Sequence, residues 1–309
     1  MSEAQSIQTL QANLEQALIG NREVIKLLVV GLLSKGHVLL EDVPGVGKTT
    51  LAKALARSLD GSFRRIQFTP DLLPSDILGV SIYRPETGAF VFNRGPIFAN
   101  VILADEINRT TPRSQSALLE AMNESQVSID GETYPLPNPF IVIATQNPYE
   151  YEGTYPLPES QLDRFCMRLH IGYPSETDER EVLMSHRMGE PVDCLQKVTS
   201  AEEIERLQEK VKEVKIEDSI VDYILAICRA TRDVEDVEVG VSPRGCLTLY
   251  RACQALALVE GRDYCIPDDV KTLAGSVLGH RIIHQLGRAS KNNGYDSILQ
   301  VLSKVPVPV

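Results

Sequence analysis

The sequence predicts an α/β fold, a parallel sheet flanked by helices, followed by a small all-helical domain. Three observations carry that expectation. The apolar run His37-Val38-Leu39-Leu40 passes through a glycine-bearing turn into a helical pattern, Leu51-Ala52-Lys53-Ala54-Leu55-Ala56-Arg57, and strand, turn and helix in that order begin an α/β unit. Two further runs, Val101-Ile102-Leu103-Ala104 and Phe140-Ile141-Val142-Ile143-Ala144-Thr145, are apolar on both faces, as central parallel strands are. From about residue 200 the apolar spacing is helical throughout.

A chain of 309 residues can bury one large core and a smaller one. The expected division is 1–175 for the α/β unit, 176–199 for a connecting helix and linker, and 200–309 for the helical unit. The net charge of −11 argues against broad, non-specific nucleic-acid binding. The six cysteines, Cys166, Cys194, Cys228, Cys246, Cys253 and Cys265, contain no C-x-x-C pair. They read as small buried residues in a reducing compartment. The start, Met1-Ser2-Glu3-Ala4-Gln5, lacks a signal peptide's basic and apolar regions, and no apolar stretch has membrane-spanning length. The expectation is a cytoplasmic protein without membrane insertion.

Taken in order, residues 6–18 carry helical spacing through Ile7, Leu10, Leu14 and Leu18; Gly20-Asn21 breaks it, and 23–33 resumes it. After the 37–40 strand and its helix, Phe63-Arg64-Arg65-Ile66-Gln67-Phe68 is a second strand. Residues 69–99 hold a helical turn interrupted by two strand-like pieces around Thr87-Gly88. A helix over 113–125 follows, and Gln126 to Tyr134 alternates around Asp130-Gly131, a hairpin signal. Arg168-Leu169-His170-Ile171 is the last strand. Beyond Tyr173-Pro174 come a charged helix over 176–188, a linker at Gly189-Glu190-Pro191-Val192-Asp193, and helices over 201–213, 217–232 and 243–260. Ser242-Pro243 is an N-cap and first helical residue, Gly261 ends that helix, and Pro267 opens another.

The segment Pro44-Gly45-Val46-Gly47-Lys48-Thr49-Thr50 is a phosphate cradle. Its glycines let backbone approach phosphates without a Cβ, and successive N–H groups point into one concavity at a helix N-terminus. Lys48 supplies a point charge to the β/γ-phosphates, and the Thr49 hydroxyl is placed to ligate Mg²⁺. G-x-G-K-[ST] arises by chance in about one chain in a hundred of this length. The full pattern wants glycine where this chain has Asp42. Asp105 and Glu106 end an apolar run and should emerge beside the phosphates, since ligands bind beyond the carboxyl ends of such strands. Asp105 is the expected Mg²⁺ partner through water; Glu106 can orient and deprotonate the attacking water.

Other polar residues sit where a hydrolase needs them. Asn147 would project toward the γ-phosphate and hold the water, the alternative being an Asn-Pro turn opener. Arg164 could reach a neighbouring subunit's nucleotide, a finger worth roughly 4–7 kcal/mol, or merely satisfy a helix end. Arg244, in the first turn of the 243–260 helix, could touch a phosphate across the domain cleft or stand in solvent. The turn at Ile19-Gly20 could hold a base; a plain helix–helix turn is the alternative. His280 and His284 are one helical turn apart, but the metalloprotease pattern wants Glu where Arg281 stands.

Together, Leu39 to Thr49, Leu103-Ala104-Asp105-Glu106-Ile107-Asn108-Arg109, Gln115 to Met122, Ala144-Thr145-Gln146-Asn147-Pro148 and Leu162-Asp163-Arg164-Phe165 resemble the MoxR family of AAA+ ATPases over nearly the whole chain. In that family the missing first loop glycine is ordinary. The resemblance implies that Lys48 and Thr49 are the Walker A pair, Asp105 and Glu106 the Walker B pair, Asn147 sensor 1, Arg164 the arginine finger, and Arg244 sensor 2. Residues 69–99 resemble the helix-2 insert and 126–137 the hairpin before sensor 1. It further implies ATP and Mg²⁺ at the interfaces of a ring, usually a hexamer. It implies a chaperone-like role in remodelling or maturing client proteins, often with a von Willebrand factor A-domain partner. Whether Arg244 acts on its own nucleotide or a neighbour's stays open, as do a DNA-directed ATPase, a small-molecule kinase and a nucleotide-switched scaffold.

Overall fold

In a computed structural model of the chain, residues 2–148, 153–284 and 293–308 are described. The chain begins with α1 (Glu3–Glu15), whose Ser2 cap and Gln5 satisfy each other's backbone N–H in a capping box. Then come α2 (Arg22–Leu33), β1 (Val38–Glu41), α3 (Lys48–Ser58) and β2 (Phe63–Gln67). The insert expected between two core strands is α4 (Pro74–Leu78) and an antiparallel pair, β3 (Gly79–Arg84) and β4 (Ala89–Arg94). β5 (Val101–Asp105), α5 (Pro112–Glu124), the hairpin of β6 (Gln126–Ile129) and β7 (Glu132–Pro135), β8 (Ile141–Gln146), α6 (Glu159–Leu162) and β9 (Met167–Leu169) complete the α/β part.

The five strands β2-β5-β8-β1-β9 form one parallel sheet in that order. Alternate residues point to opposite faces. Val38, Leu40, Val101, Leu103, Ile141 and Ile143 join one buried cluster with α1, α2 and α3. Leu39, Ile102, Ala104, Val142 and Ala144 join a second with α5. The central strands are apolar along all but their carboxyl ends because both faces are covered. β2, at the edge, carries exposed Arg64 and Arg65.

The last core strand is shorter than its sequence suggests. It ends at Leu169, because the ring Nδ1 of His170 meets the Glu41 carbonyl at 2.6 Å, and the Ile171 N–H donates to the Asp42 carboxylate. The chain then enters α7 (Glu176–Ser185) and α8 (Pro191–Cys194), so part of the presumed linker is helical. α9 (Ala201–Val211), α10 (Asp218–Ala230), β10 (Val237–Val239), α11 (Pro243–Val259), α12 (Pro267–Leu278), β11 (Ile283–His284) and α13 (Asn293–Lys304) follow. The purely helical expectation thus misses a small antiparallel ribbon of β10 and β11. That ribbon is too short for alternation to mark it. The closing helix α13 falls within the expected helical unit, although no boundaries were assigned to it in the sequence.

α11 packs on α2, and α12 packs on β9. The apolar stripes of α9 to α12 therefore share one core with α1, α2 and α3. This seats the helical part against the α2 side of the sheet. His37 lies under the seam. It is buried, its Nδ1 accepts the Val142 N–H at 3.0 Å, and its Nε2–H donates to the Met122 carbonyl at 3.0 Å.

Burial, with the Arg244 charge adding to it, lowers the His37 pKa from 6.5 to about 4. Burial likewise takes His280 well below its usual value. The unfolded chain therefore binds these protons first as pH falls. Stability is at its full value above pH 6.5 and declines from there toward pH 4, by roughly 3 kcal/mol for His37. Thermal melts across that window should show the loss. His37→Gln, which can keep both bonds without titrating, should flatten the profile by the His37 share.

Candidate functional site

Between β1 and α3 the backbone turns through Gly45 and Gly47, with φ of +89° and +96°. Side-chain-bearing residues rarely adopt these angles. Gly47 is also out of room, since a Cβ there would stand 2.7 Å from Leu18 Cδ1. That approach sets the Leu18-Ile19-Gly20 turn beside the loop. Gly20 faces the Asp178 carboxyl of α7. Val46 turns toward the core. Pro44, Gly45, Gly47, Lys48, Thr49 and Thr50 open onto one cleft of about 340 Å³, within the size range of small-molecule sites.

The far wall of this cleft is Arg65, Asp105, Glu106 and Asn147. They meet because β8 lies between β1 and β5, so the three carboxyl ends are adjacent. The buried Thr145 hydroxyl donates to Asp105 Oδ1 at 2.6 Å and accepts the Glu106 N–H at 2.8 Å. Glu106 itself is left-handed, at φ +58°, a conformation that costs about 1–3 kcal/mol for such a residue and recurs at functional sites. Its carboxylate accepts Gln67 Nε2 at 2.7 Å and Arg109 Nη1 at 3.0 Å. Arg65 grips Asp105 Oδ2 through Nε at 3.1 Å and Nη2 at 2.6 Å.

The Arg65 guanidinium places positive charge against the Asp105 carboxylate at this corner. With the Thr49 hydroxyl opposite, the donors are hard oxygens suited to Mg²⁺. Among the described residues no three His, Cys, Asp or Glu side chains converge as a metal cage. An ion held by these hard oxygens would take its remaining ligands from phosphate and water. The pair His280 and His284 is engaged elsewhere. His280 Nε2–H donates to the Phe165 carbonyl at 3.2 Å, and His284 contacts the Asp236 carbonyl and Ser297.

Asp42, the departure from the glycine pattern, has a structural role. Its carbonyl receives Lys48 Nζ at 2.8 Å, and its carboxylate receives the N–H groups of Ile171 and Gly172, the latter at 3.1 Å. The phosphate loop is thereby tied to the segment that leaves the sheet for α7.

Arg164 and Arg244 are absent from this cleft. They line a second one at the other end of β1, together with Lys35, His37, Asn123 and Arg251. Arg164 Nη1 donates to the Leu119 carbonyl at 2.9 Å, and Arg244 Nη2 to Asn123 Oδ1 at 2.5 Å. The seven-residue run from Gly36 to Asp42 separates the two clefts by roughly 15–20 Å. An arginine side chain does not span that distance, so Arg244 does not reach its own phosphate loop.

Thr145, Arg65, Gln67 and Arg109 went unassigned in the sequence. Arg65 and Gln67 did leave a signal: polar residues at alternate positions of an edge strand share a face. Their partner is β5, and Gln67 pairs with Asp105 in register. Thr145 looked like one more residue of a buried strand.

Fold and cleft define a nucleotide-binding protein of the AAA type. A family model described as "ATPase family associated with various cellular activities (AAA)" matches residues 37–167, and one for the AAA lid domain matches residues 229–300. Chaperone MoxR1 of Mycobacterium tuberculosis is 47% identical over 87% of this chain and 73% of its own. YeaC of Bacillus subtilis is 50% identical over 96% and 93% respectively, and MoxR of Methylorubrum extorquens is 30% identical over 96% and 94%. A crystal structure from Cytophaga hutchinsonii superposes with a TM-score of 0.89 at 39% identity, covering 99% of this chain and 96% of that one. The chain belongs to the MoxR family of AAA+ ATPases. Among its described residues, no helix is long and apolar enough to cross a membrane.

Replacing Asp42 by Ala removes the acceptor for two main-chain donors at the exit of β9. The expected cost is about 1–3 kcal/mol, read by urea unfolding. A change within 0.5 kcal/mol of wild type would contradict the tie between loop and exit segment, by the usual scale of neutral substitutions (about ±0.5).

Proposed function

We propose that the protein hydrolyses ATP as an oligomer, each cleft being completed by Arg164 and Arg244 of an adjacent protomer. The observation that carries this reading is the separation of the two clefts: each protomer offers a phosphate cradle at one end of β1 and an arginine pair at the other. A head-to-tail interface brings unlike ends together and closes into a ring when the rotation allows. A hexamer is the ring that family resemblance favours.

In the mechanism, the backbone N–H groups after Gly45 and the Lys48 ammonium hold the β- and γ-phosphates. Mg²⁺, held by Thr49 and the Asp105 carboxylate, would neutralise charge that develops on the phosphate oxygens. Asp105 must first exchange its contact with Arg65. Thr145 keeps the Asp105 carboxylate and the Glu106 backbone in fixed relation. Glu106, once released by Gln67 and Arg109, takes a proton from the water that attacks the γ-phosphorus, while the bond from that phosphorus to the β–γ bridging oxygen breaks and ADP leaves. Asn147, at the end of β8, aligns that water. The neighbour's Arg164 stabilises the charge of the transition state, and Arg244 binds the same phosphates.

The work done with this energy is proposed to be chaperone-like remodelling or maturation of client proteins; MoxR1 of Mycobacterium tuberculosis is named a chaperone. The insert supports it. Phe90 is 74% exposed and Tyr83 52%, on a ribbon whose other face exposes Ile82 at 48%. Contiguous exposed apolar surface of this kind marks contact sites. A von Willebrand factor A-domain partner is part of the same proposal. Action on nucleic acid fits less well with a net charge of −11.

Two variants test the catalytic reading. Glu106→Gln should bind ATP yet lose about a hundredfold or more in phosphate release, and Arg164→Ala about a thousandfold. Wild-type rates in both would end it. The double variant Tyr83→Ser/Phe90→Ser should keep wild-type phosphate release. In a Glu106→Gln background it should lose the proteins that Glu106→Gln alone co-purifies, as scored by mass spectrometry. An unchanged protein set would remove the insert from client contact.

A further inference from the structure

Arg281 is a helical-domain residue whose side chain is spent on the α/β part. It sits just past α12 and its side chain is 2% exposed. Nε donates to Asp163 Oδ1 at 2.8 Å. Nη2 donates to the Phe165 carbonyl at 2.6 Å and the Asp163 carbonyl at 3.3 Å. Nη1 reaches the Cys166 carbonyl at 3.2 Å and also the Val277 carbonyl. Four of these acceptors belong to the turn Asp163-Arg164-Phe165-Cys166, and Arg164 is inside the grip. The neighbouring His280 holds the Phe165 carbonyl as well.

The same hub seats Arg244. Asp163 accepts the Ser242 hydroxyl at 3.3 Å, and Ser242 caps α11 by accepting the Gly245 N–H at 3.1 Å. Gly245 lies flat on Arg281, where a Cβ would stand 3.0 Å from its Cδ. The first turn of α11, with Arg244 in it, is therefore referenced to the same guanidinium as the Arg164 turn. A buried charge is a poor source of stability compared with apolar packing of equal volume. Its gain here is geometric, because a planar fork with five N–H groups fixes distance and angle at once.

We propose that Arg281, acting through Asp163, is a positioning residue that holds Arg164 and Arg244 as one paired anion receptor for an adjacent protomer's nucleotide. The inference rests on the trans reading above. It adds that the receptor is assembled by a core–lid lock rather than by either arginine's own element. A shift of the lid would move both cations together.

The test separates donor from acceptor protomers. Arg164→Ala protein keeps its own phosphate cleft and lacks a finger. Glu106→Gln protein cannot hydrolyse but can donate its arginines. Mixing the two should restore phosphate release at hybrid interfaces. Carrying Asp163→Asn or Arg281→Lys in the Glu106→Gln donor should cut that restored rate by about tenfold to a hundredfold. In otherwise wild-type chains the same substitutions should lower kcat while leaving fluorescent-ADP affinity within about twofold, since a tenfold change is about 1.4 kcal/mol. Asp163 is only half-buried, so its Asn variant keeps the fold readable by thermal melting if the Arg281 variant does not. Full restoration by the Asp163→Asn donor overturns the lock. Wild-type hydrolysis by unmixed Arg164→Ala protein overturns the trans reading instead.

Discussion

Strand order governs this molecule. Because β8 runs between β1 and β5, the phosphate loop, the Asp105–Glu106 pair and Asn147 leave the sheet side by side at its carboxyl edge. One buried hydroxyl then fixes their spacing: Thr145 bonds both the Asp105 carboxylate and the Glu106 main chain. Low dielectric strengthens such a network and makes each missing partner expensive. The geometry of the cleft depends on a buried side chain that does not line it.

The sheet was easy to read because its central strands are covered on both faces. Val101–Asp105 and Ile141–Gln146 are apolar at nearly every position for that reason. The glycine loop was legible because few sequences satisfy it by accident. The ribbon of Val237–Val239 and Ile283–His284 was hidden, since its strands are far apart in sequence and too short for a period. The end of the last strand was hidden too, because a carboxylate at Asp42 decides it from a distance. At the cleft, several residues that line it stood out by type, while those that hold them did not. Arg65 and Gln67 looked like surface polar residues of an edge strand, and only pairing with β5 turns them toward Asp105 and Glu106.

The two arginines illustrate a different limit. Arg164 and Arg244 were named from local pattern, and pattern says nothing about which end of the sheet a helix docks on. Packing of α11 on α2 and of α12 on β9 sets that, and it results from apolar stripes whose partner faces were not evident in either segment alone. Charge at the far end of β1 is then concentrated by geometry rather than by a run of basic sequence.

The seating of the helical part has one more consequence. Among the described residues, none beyond Asn147 lines the phosphate cleft, so on the proposed reading a neighbouring copy, rather than the chain's own helical part, would enclose a nucleotide there. On that reading enclosure is a property of the encounter between copies, and dilution would act as an off-switch built from mass action.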